Sequence, residues 1–173
     1  LHMTCNEAGL HLNLMKKISN ELHFVMLGLG YDPISKRDQI NWMPKNRYEI
    51  MKNYMPKVGN LGIDMMIRTC TIQVNLDYLD EKDMIKKFQS SLALQPIATA
   101  LFSNSPFIEG KLSNYLSLRA YTWTDTDRKR SGFPDIVFSK DFGYEAWTEY
   151  LLSVPMYFIY DNGKYYDVAG KSF

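Results

Sequence analysis

Arg68-Thr69-Cys70-Thr71-Ile72-Gln73-Val74-Asn75-Leu76-Asp77 is the stretch on which the fold reading turns. From Cys70 to Leu76 the even positions are apolar, while Thr69, Thr71, Gln73, Asn75 and Asp77 carry hydroxyl, carboxamide or carboxylate groups. A period of two belongs to a half-buried strand, whose successive side chains point to opposite faces. One face enters a core. The other offers more hydrogen-bonding capacity than solubility requires, so it is either the floor of a binding site or the wet face of an antiparallel sheet.

Outward from this stretch the chain alternates helices with short extended runs. Upstream, Thr4 and Glu7 form a capping-box pattern ahead of a helix over about residues 5 to 22, with Leu10, Leu14, Ile18 and Leu22 as its apolar stripe. Phe24 to Leu29 suits a buried strand. Its Gly28-Leu29-Gly30 is not a phosphate loop, because the third glycine is absent and Pro33 stops any helix that such a loop would open. Pro44 and Pro56 bracket the next helix, which has Lys45 and Arg47 in its first turn. Cations there oppose the helix dipole, a cost explained by an anionic ligand or simply borne at an exposed helix end.

Downstream, Asp80 caps a long helix with Glu81 and Asp83 in its first turn, and Pro96 is expected to bend it. In Arg119-Ala120-Tyr121-Thr122-Trp123-Thr124-Asp125-Thr126-Asp127 the odd positions of an extended segment bring a cation, two aromatics and two carboxylates to one face. Such a face is costly to bury without partners, so it is wet or holds a polar ligand. Arg128, Lys129 and Arg130 follow as a basic cluster. A last helix over about residues 142 to 152 turns Phe142, Ala146, Trp147 and Tyr150 inward. Met156 to Tyr160 and Lys164 to Asp167 then make a hairpin through Asp161-Asn162-Gly163. Without a repeating βα unit, the class is α+β: an antiparallel sheet with packed helices.

The 173 residues suit one domain with a real core, and a net charge of +1 with interspersed signs gives no field for nucleic acid or an anionic membrane. No apolar run approaches the roughly 20 residues of a membrane span, and no leader pattern is present. The expectation is a cytoplasmic protein with Cys5 and Cys70 reduced. His11 and His23 lack a partner at metal-binding spacing. The first residue is not methionine and the last follow a hairpin without a closing element, so the chain reads as one partial domain over residues 1–173.

The strings Met65 to Asp77, Leu92 to Phe102, Trp123-Thr124-Asp125-Thr126-Asp127 and Val154-Pro155-Met156-Tyr157-Phe158 closely resemble glutamate–cysteine ligases of the plant and proteobacterial type. Thr4-Cys5-Asn6-Glu7 and Asn53 to Gly59 fit the same family, so the resemblance runs the length of the chain. It implies ATP-dependent amide formation, the first step of glutathione synthesis, on a fold similar to glutamine synthetase. Mg²⁺, ATP, glutamate and cysteine are the implied cofactor and partners.

Position by position, the resemblance puts Gln73 at a magnesium ion and Asn75 near the nucleotide phosphates. Arg47 and Arg119 match arginines at the glutamate site, where a guanidinium fork suits carboxylate and phosphate oxygens. Tyr157 matches a tyrosine of the cysteine pocket, Trp123 stands beside it, and Arg130 is a candidate for ATP. Most of the family's magnesium-binding carboxylates would lie upstream of Leu1, so these residues alone are expected to be inactive. Arg128-Lys129 replaces the usual proline-aspartate pair, and Val168 replaces a cysteine of one plant regulatory disulfide. Cys5 matches a cysteine of the other.

Two further readings stand beside the ligase. A sugar-binding hydrolase with Asp125 and Asp127 as its carboxylate pair is disfavoured, because neighbouring same-face positions lie only about 7 Å apart on one side of a strand. A non-catalytic binding or interaction module is the alternative for a piece with incomplete machinery.

Overall fold

The computed structural model describes residues 2–173. Six helices are joined by loops and short 3₁₀ turns: α1 (His2–Leu22), α2 (Asn46–Tyr54), α3 (Gly62–Arg68), α4 (Glu81–Leu101), α5 (Leu118–Thr124) and α6 (Tyr144–Ser153). Among the described residues the strands are four, in two separate antiparallel hairpins: β1 (Phe107–Ile108) with β2 (Lys111–Leu112), and β3 (Phe158–Asp161) with β4 (Lys164–Asp167). The α+β class stands, but these residues do not build one curved sheet.

Asp80 caps α4 as its sequence predicts, its carboxylate accepting the Asp83 amide at 2.9 Å. One turn of α4 later begins the main apolar cluster, in which Met84, Val137 and Phe142 are buried and Ile85, Phe88, Leu92, Ile136 and Trp147 close around them. Phe88 meets Phe142 and Trp147 edge-on, with centroids 5.6 and 4.7 Å apart, a favoured aromatic geometry. Glu81 reaches across to accept the Tyr144 amide at 2.6 Å, so the start of α4 also satisfies a free donor at the start of α6. The β3–β4 turn uses Asn162 (φ 47°) and Gly163 (φ 78°), the left-handed pair that an Asn-Gly hairpin turn demands.

A second packed unit surrounds α3. Arg68 is 3% exposed; it pairs with Asp64 at 3.3 Å and Glu109 at 3.4 Å, and its Nη2 donates to the Ser35 carbonyl at 2.7 Å. Arg37 forms a second ion pair with Asp64. The Arg68 guanidinium lies 4.9 Å from the Tyr31 ring centroid. Burial, reinforced by the Asp64 charge, pushes the Tyr31 hydroxyl up to about 12.

Four local expectations need correction. Thr4 is not the cap of α1, because the helix already includes it. The stripe of α1 is not buried: Leu10, Leu14 and Leu22 are 63, 53 and 67% exposed among the described residues. Phe24 to Leu29 and Thr71 to Asp77 are not strands. Their ladder starts, with the Cys70 amide donating to the Gly30 carbonyl at 3.0 Å and Asp32 to Arg68 at 2.8 Å around the Tyr31–Thr69 bridge, then stops. Beyond it neither run has a hydrogen-bonded partner strand among the described residues, and strand geometry without a partner leaves its backbone groups to water.

The fourth concerns Arg119 to Asp127: Arg119 to Thr124 is helical and residues 125–127 leave the helix as a turn, where one extended segment is expected. Ser117 caps α5 by accepting the Ala120 amide at 3.2 Å. Leu118 and Thr122 recur at helical spacing on its buried side. Thr122 and Thr126 donate their hydroxyls to the carbonyls four residues back, at 2.9 and 2.8 Å. Threonine's β preference yields to these back-bonds and to the cap.

Candidate functional site

Turning the segment into a helix redistributes its polar groups. At a spacing of four, Arg119 and Trp123 share a face of α5, while Tyr121 turns away to stack on Tyr115 at 4.1 Å. The Arg119 Nε donates to the Cys70 carbonyl at 2.8 Å and Nη2 to Thr71 Oγ1 at 2.9 Å. Arg119 is thereby fastened to the first residues of the polar stretch. Two and four residues beyond Thr71, Gln73 Nε2 donates to Asn75 Oδ1 at 2.9 Å, which brings the two carboxamides together. Arg119 on Thr71, and Gln73 on Asn75, are two successive contacts along one polar run, the polar edge.

The carboxylates past α5 separate. Asp125 accepts from Asn60 Nδ2 at 2.8 Å. Asp127, 2% exposed, takes the Arg130 Nη1 at 2.5 Å and the Tyr157 hydroxyl at 3.1 Å on the same Oδ2. The two carboxylates therefore serve different partners. The Arg130 guanidinium sits 3.6 Å from the Tyr157 centroid, and Tyr54 meets that ring edge-on at 5.5 Å. Burial, opposed by Arg130 and reinforced by Asp127, holds the Tyr157 hydroxyl well above the ordinary tyrosine range. It stays a neutral phenol at physiological pH.

Arg47 stands apart from both groups. It lies against Tyr48, 5.3 Å from that ring's centroid, on α2, which packs on β4. No hydrogen bond or ion pair among the described residues joins it to Gln73, Asn75 or Arg119. Tyr54 is seven residues further along, on the same helix face and about 10 Å away by helix rise. Among the described residues Arg47 is therefore joined neither to the Tyr157 group nor to the polar edge. Trp123, 37% exposed, presents its indole from the Arg119 face.

Among the described residues no group of three His, Cys, Asp or Glu is placed to hold a metal. Magnesium is normally bound through one or two carboxylates together with phosphate oxygens and water. Gln73 fits as a single hard-oxygen donor, its amide nitrogen being engaged by Asn75.

The Asp127–Arg130–Tyr157 group and the Asp64–Arg68 pair were not singled out from sequence. Their signal was present: Asp127 and Arg130 stand at i, i+3 and Asp64 and Arg68 at i, i+4, spacings that bring opposite charges together once the backbone is helical.

Comparison with known proteins identifies the class. The model of glutamate–cysteine ligase family 2 matches residues 1–171, and the chain belongs to that family. Chloroplastic glutamate–cysteine ligase of Brassica juncea is 56% identical over all 173 residues, which cover 34% of that protein. Chloroplastic glutamate–cysteine ligase B of Oryza sativa subsp. japonica is 57% identical, with 35% of its length covered. The Arabidopsis thaliana protein of the same name is 55% identical, with 33% covered. The chain spans about a third of the length of these relatives. They are chloroplastic proteins, which overturns the cytoplasmic expectation. That expectation rested on the lack of a leader in residues that match only a third of the relatives' length, so it held no information on compartment.

Proposed function

We propose that these residues form part of a glutamate–cysteine ligase. In the reaction the γ-carboxylate of glutamate attacks the γ-phosphorus of ATP, releasing ADP and leaving an acyl phosphate. The amine of cysteine then attacks the acyl carbon and phosphate departs with the bonding pair. No protein nucleophile is needed; holding anions in line and neutralising charge does the work. The observation that carries the proposal is the polar edge, where Arg119 is clamped on Cys70 and Thr71 beside the Gln73–Asn75 pair.

On this edge Arg119 presents its remaining guanidinium N–H groups to carboxylate or phosphoryl oxygens. Gln73 lends one oxygen to Mg²⁺, and Asn75 faces the nucleotide phosphates. Magnesium, when bound, offsets the charge of the transferring phosphoryl group. Arg47 serves the glutamate carboxylate, while Tyr157 and Trp123 border the cysteine site. Arg130 spends Nη1 on Asp127 and keeps Nη2 without a partner among the described residues, so its proposed role toward ATP oxygens is compatible with its place over Tyr157. The glutamine synthetase-like sheet is proposed to arise when the open runs at residues 24–29 and 71–77 gain neighbours in the complete polypeptide.

The test is release of ADP by the complete polypeptide supplied with MgATP and glutamate. Release that depends on added cysteine supports the ligase. ATP and glutamate binding without cysteine-dependent turnover would favour a binding module.

A further inference from the structure

Tyr157 is restrained on three sides. Its hydroxyl donates to Asp127, with the weaker acceptor Met55 Sδ at 3.5 Å, one ring face is covered by Arg130, and its edge meets Tyr54. Asp127 is itself fixed, its carbonyl accepting the Arg130 and Ser131 amides at 3.0 and 2.9 Å. Its loop rests on Gly59, where an added Cβ would lie 2.3 Å from the Thr126 carbonyl oxygen. A single buried carboxylate oxygen thus sets both the direction of the phenol O–H and the position of the cation on the ring.

We infer that Asp127 and Arg130 are positioning residues for substrate use, acting through Tyr157: they commit its proton to Asp127 and so present the phenol oxygen to the substrate as an acceptor. This rests on the proposed placement of Tyr157 at the cysteine site. An oxygen whose own hydrogen is taken receives a hydrogen bond from an amine N–H or thiol S–H and offers none in return. Cysteine supplies both donors, whereas the reacting groups of glutamate and ATP, a carboxylate and phosphates, supply none. The clamp therefore governs use of cysteine and leaves glutamate use alone. Asn in place of Asp127 removes the charge that holds Arg130 and supplies an amide that competes for the phenol oxygen.

The test uses the complete polypeptide as wild type, Asp127→Asn, Tyr157→Phe and the double variant, with KM for cysteine and for glutamate measured separately from kcat. Each single change is expected to raise the cysteine KM about tenfold, the worth of one hydrogen bond of about 1.4 kcal/mol, with the glutamate KM within about twofold. The double variant should match Tyr157→Phe, because two residues acting as one unit do not add. Multiplication of the two effects, or an equal rise in the glutamate KM, overturns the inference. If Tyr157→Phe leaves the cysteine KM unchanged, the placement of Tyr157 at the cysteine site fails, and the substrate role of the clamp falls with it. NMR of ¹³Cζ-labelled tyrosine reads the coupling itself: Asp127→Asn should shift the Tyr157 signal, and an unmoved signal rejects the clamp. Should Asp127→Asn not fold, Arg130→Lys, which keeps the charge and loses the fork, is expected to raise the cysteine KM more weakly. A cysteine KM left at the wild-type value would count against the inference.

Discussion

Two apolar-patterned regions of this chain meet opposite fates. Around Met84, Val137 and Phe142 the helical spacing of α4 is matched by α6 and the turn at Asp135–Phe138, and the side chains disappear from solvent. Ile72, Val74 and Leu76, on the equally regular stretch after Thr69, are 93, 74 and 61% exposed. A cleft of about 430 Å³ separates Val74 and Leu76 from Met84, Phe88 and Leu92 of α4. The difference teaches that periodicity defines a face, whereas burial needs a second face at the right distance. The packed region finds its counterpart within these residues. The open region does not, and it is the part that carries Gln73 and Asn75.

The comparison breaks most readily at α3. Asp64→Ala leaves Arg68 buried without its main counter-charge and should lower unfolding free energy by about 3–5 kcal/mol. Urea unfolding measures this, and a loss below about 1 kcal/mol would mean that the packed region does not depend on its ion cluster. Gly59→Ala should cost about 1–3 kcal/mol, since the new Cβ meets backbone oxygens that cannot swing aside. Thermal unfolding reads this effect. In the complete polypeptide, Ile72→Ser is expected to cost about 1.5–3 kcal/mol if other chain covers the open run. A change within about 0.5 kcal/mol would show that the run stays at the surface.

The smallest effect concerns pH. The Tyr31 hydroxyl ionises near 12 in the fold and near 10 in the unfolded chain, so its stabilising contribution is complete below pH 10. It is lost as pH rises from 10 to 12, because the unfolded chain releases the proton first. Alkaline denaturation should be less steep in Tyr31→Phe over that window; an identical profile would rule out Tyr31 as the source.

What the sequence made legible follows the same division. The Asp80 cap, the inward placement of Phe142 and Trp147, and the Asn162-Gly163 turn are set by neighbours a few residues away, and each is found in place, while Tyr150 stacks on Trp147 outside the core cluster. Residues 119–127 were misread because alternation of threonines with larger groups imitates a strand. The decisive Ser117 cap and the threonine back-bonds favour a helix that the period of two concealed. Gln73 and Asn75 meet as a spacing of two predicts, although the run that carries them is not a strand. The reach of Arg119 to Thr71, the seclusion of Arg47 on α2 and the clamp on Tyr157 depend on contacts between residues far apart in the chain, which no local pattern encodes.

The most direct test of the polar edge is the rate of cysteine-dependent ADP release by the complete polypeptide carrying Arg119→Ala, with its unfolding temperature measured in parallel. Removing a cation that acts on transferring charge should lower kcat/KM at least about a hundredfold while the fold persists. A wild-type rate in that variant would contradict the account.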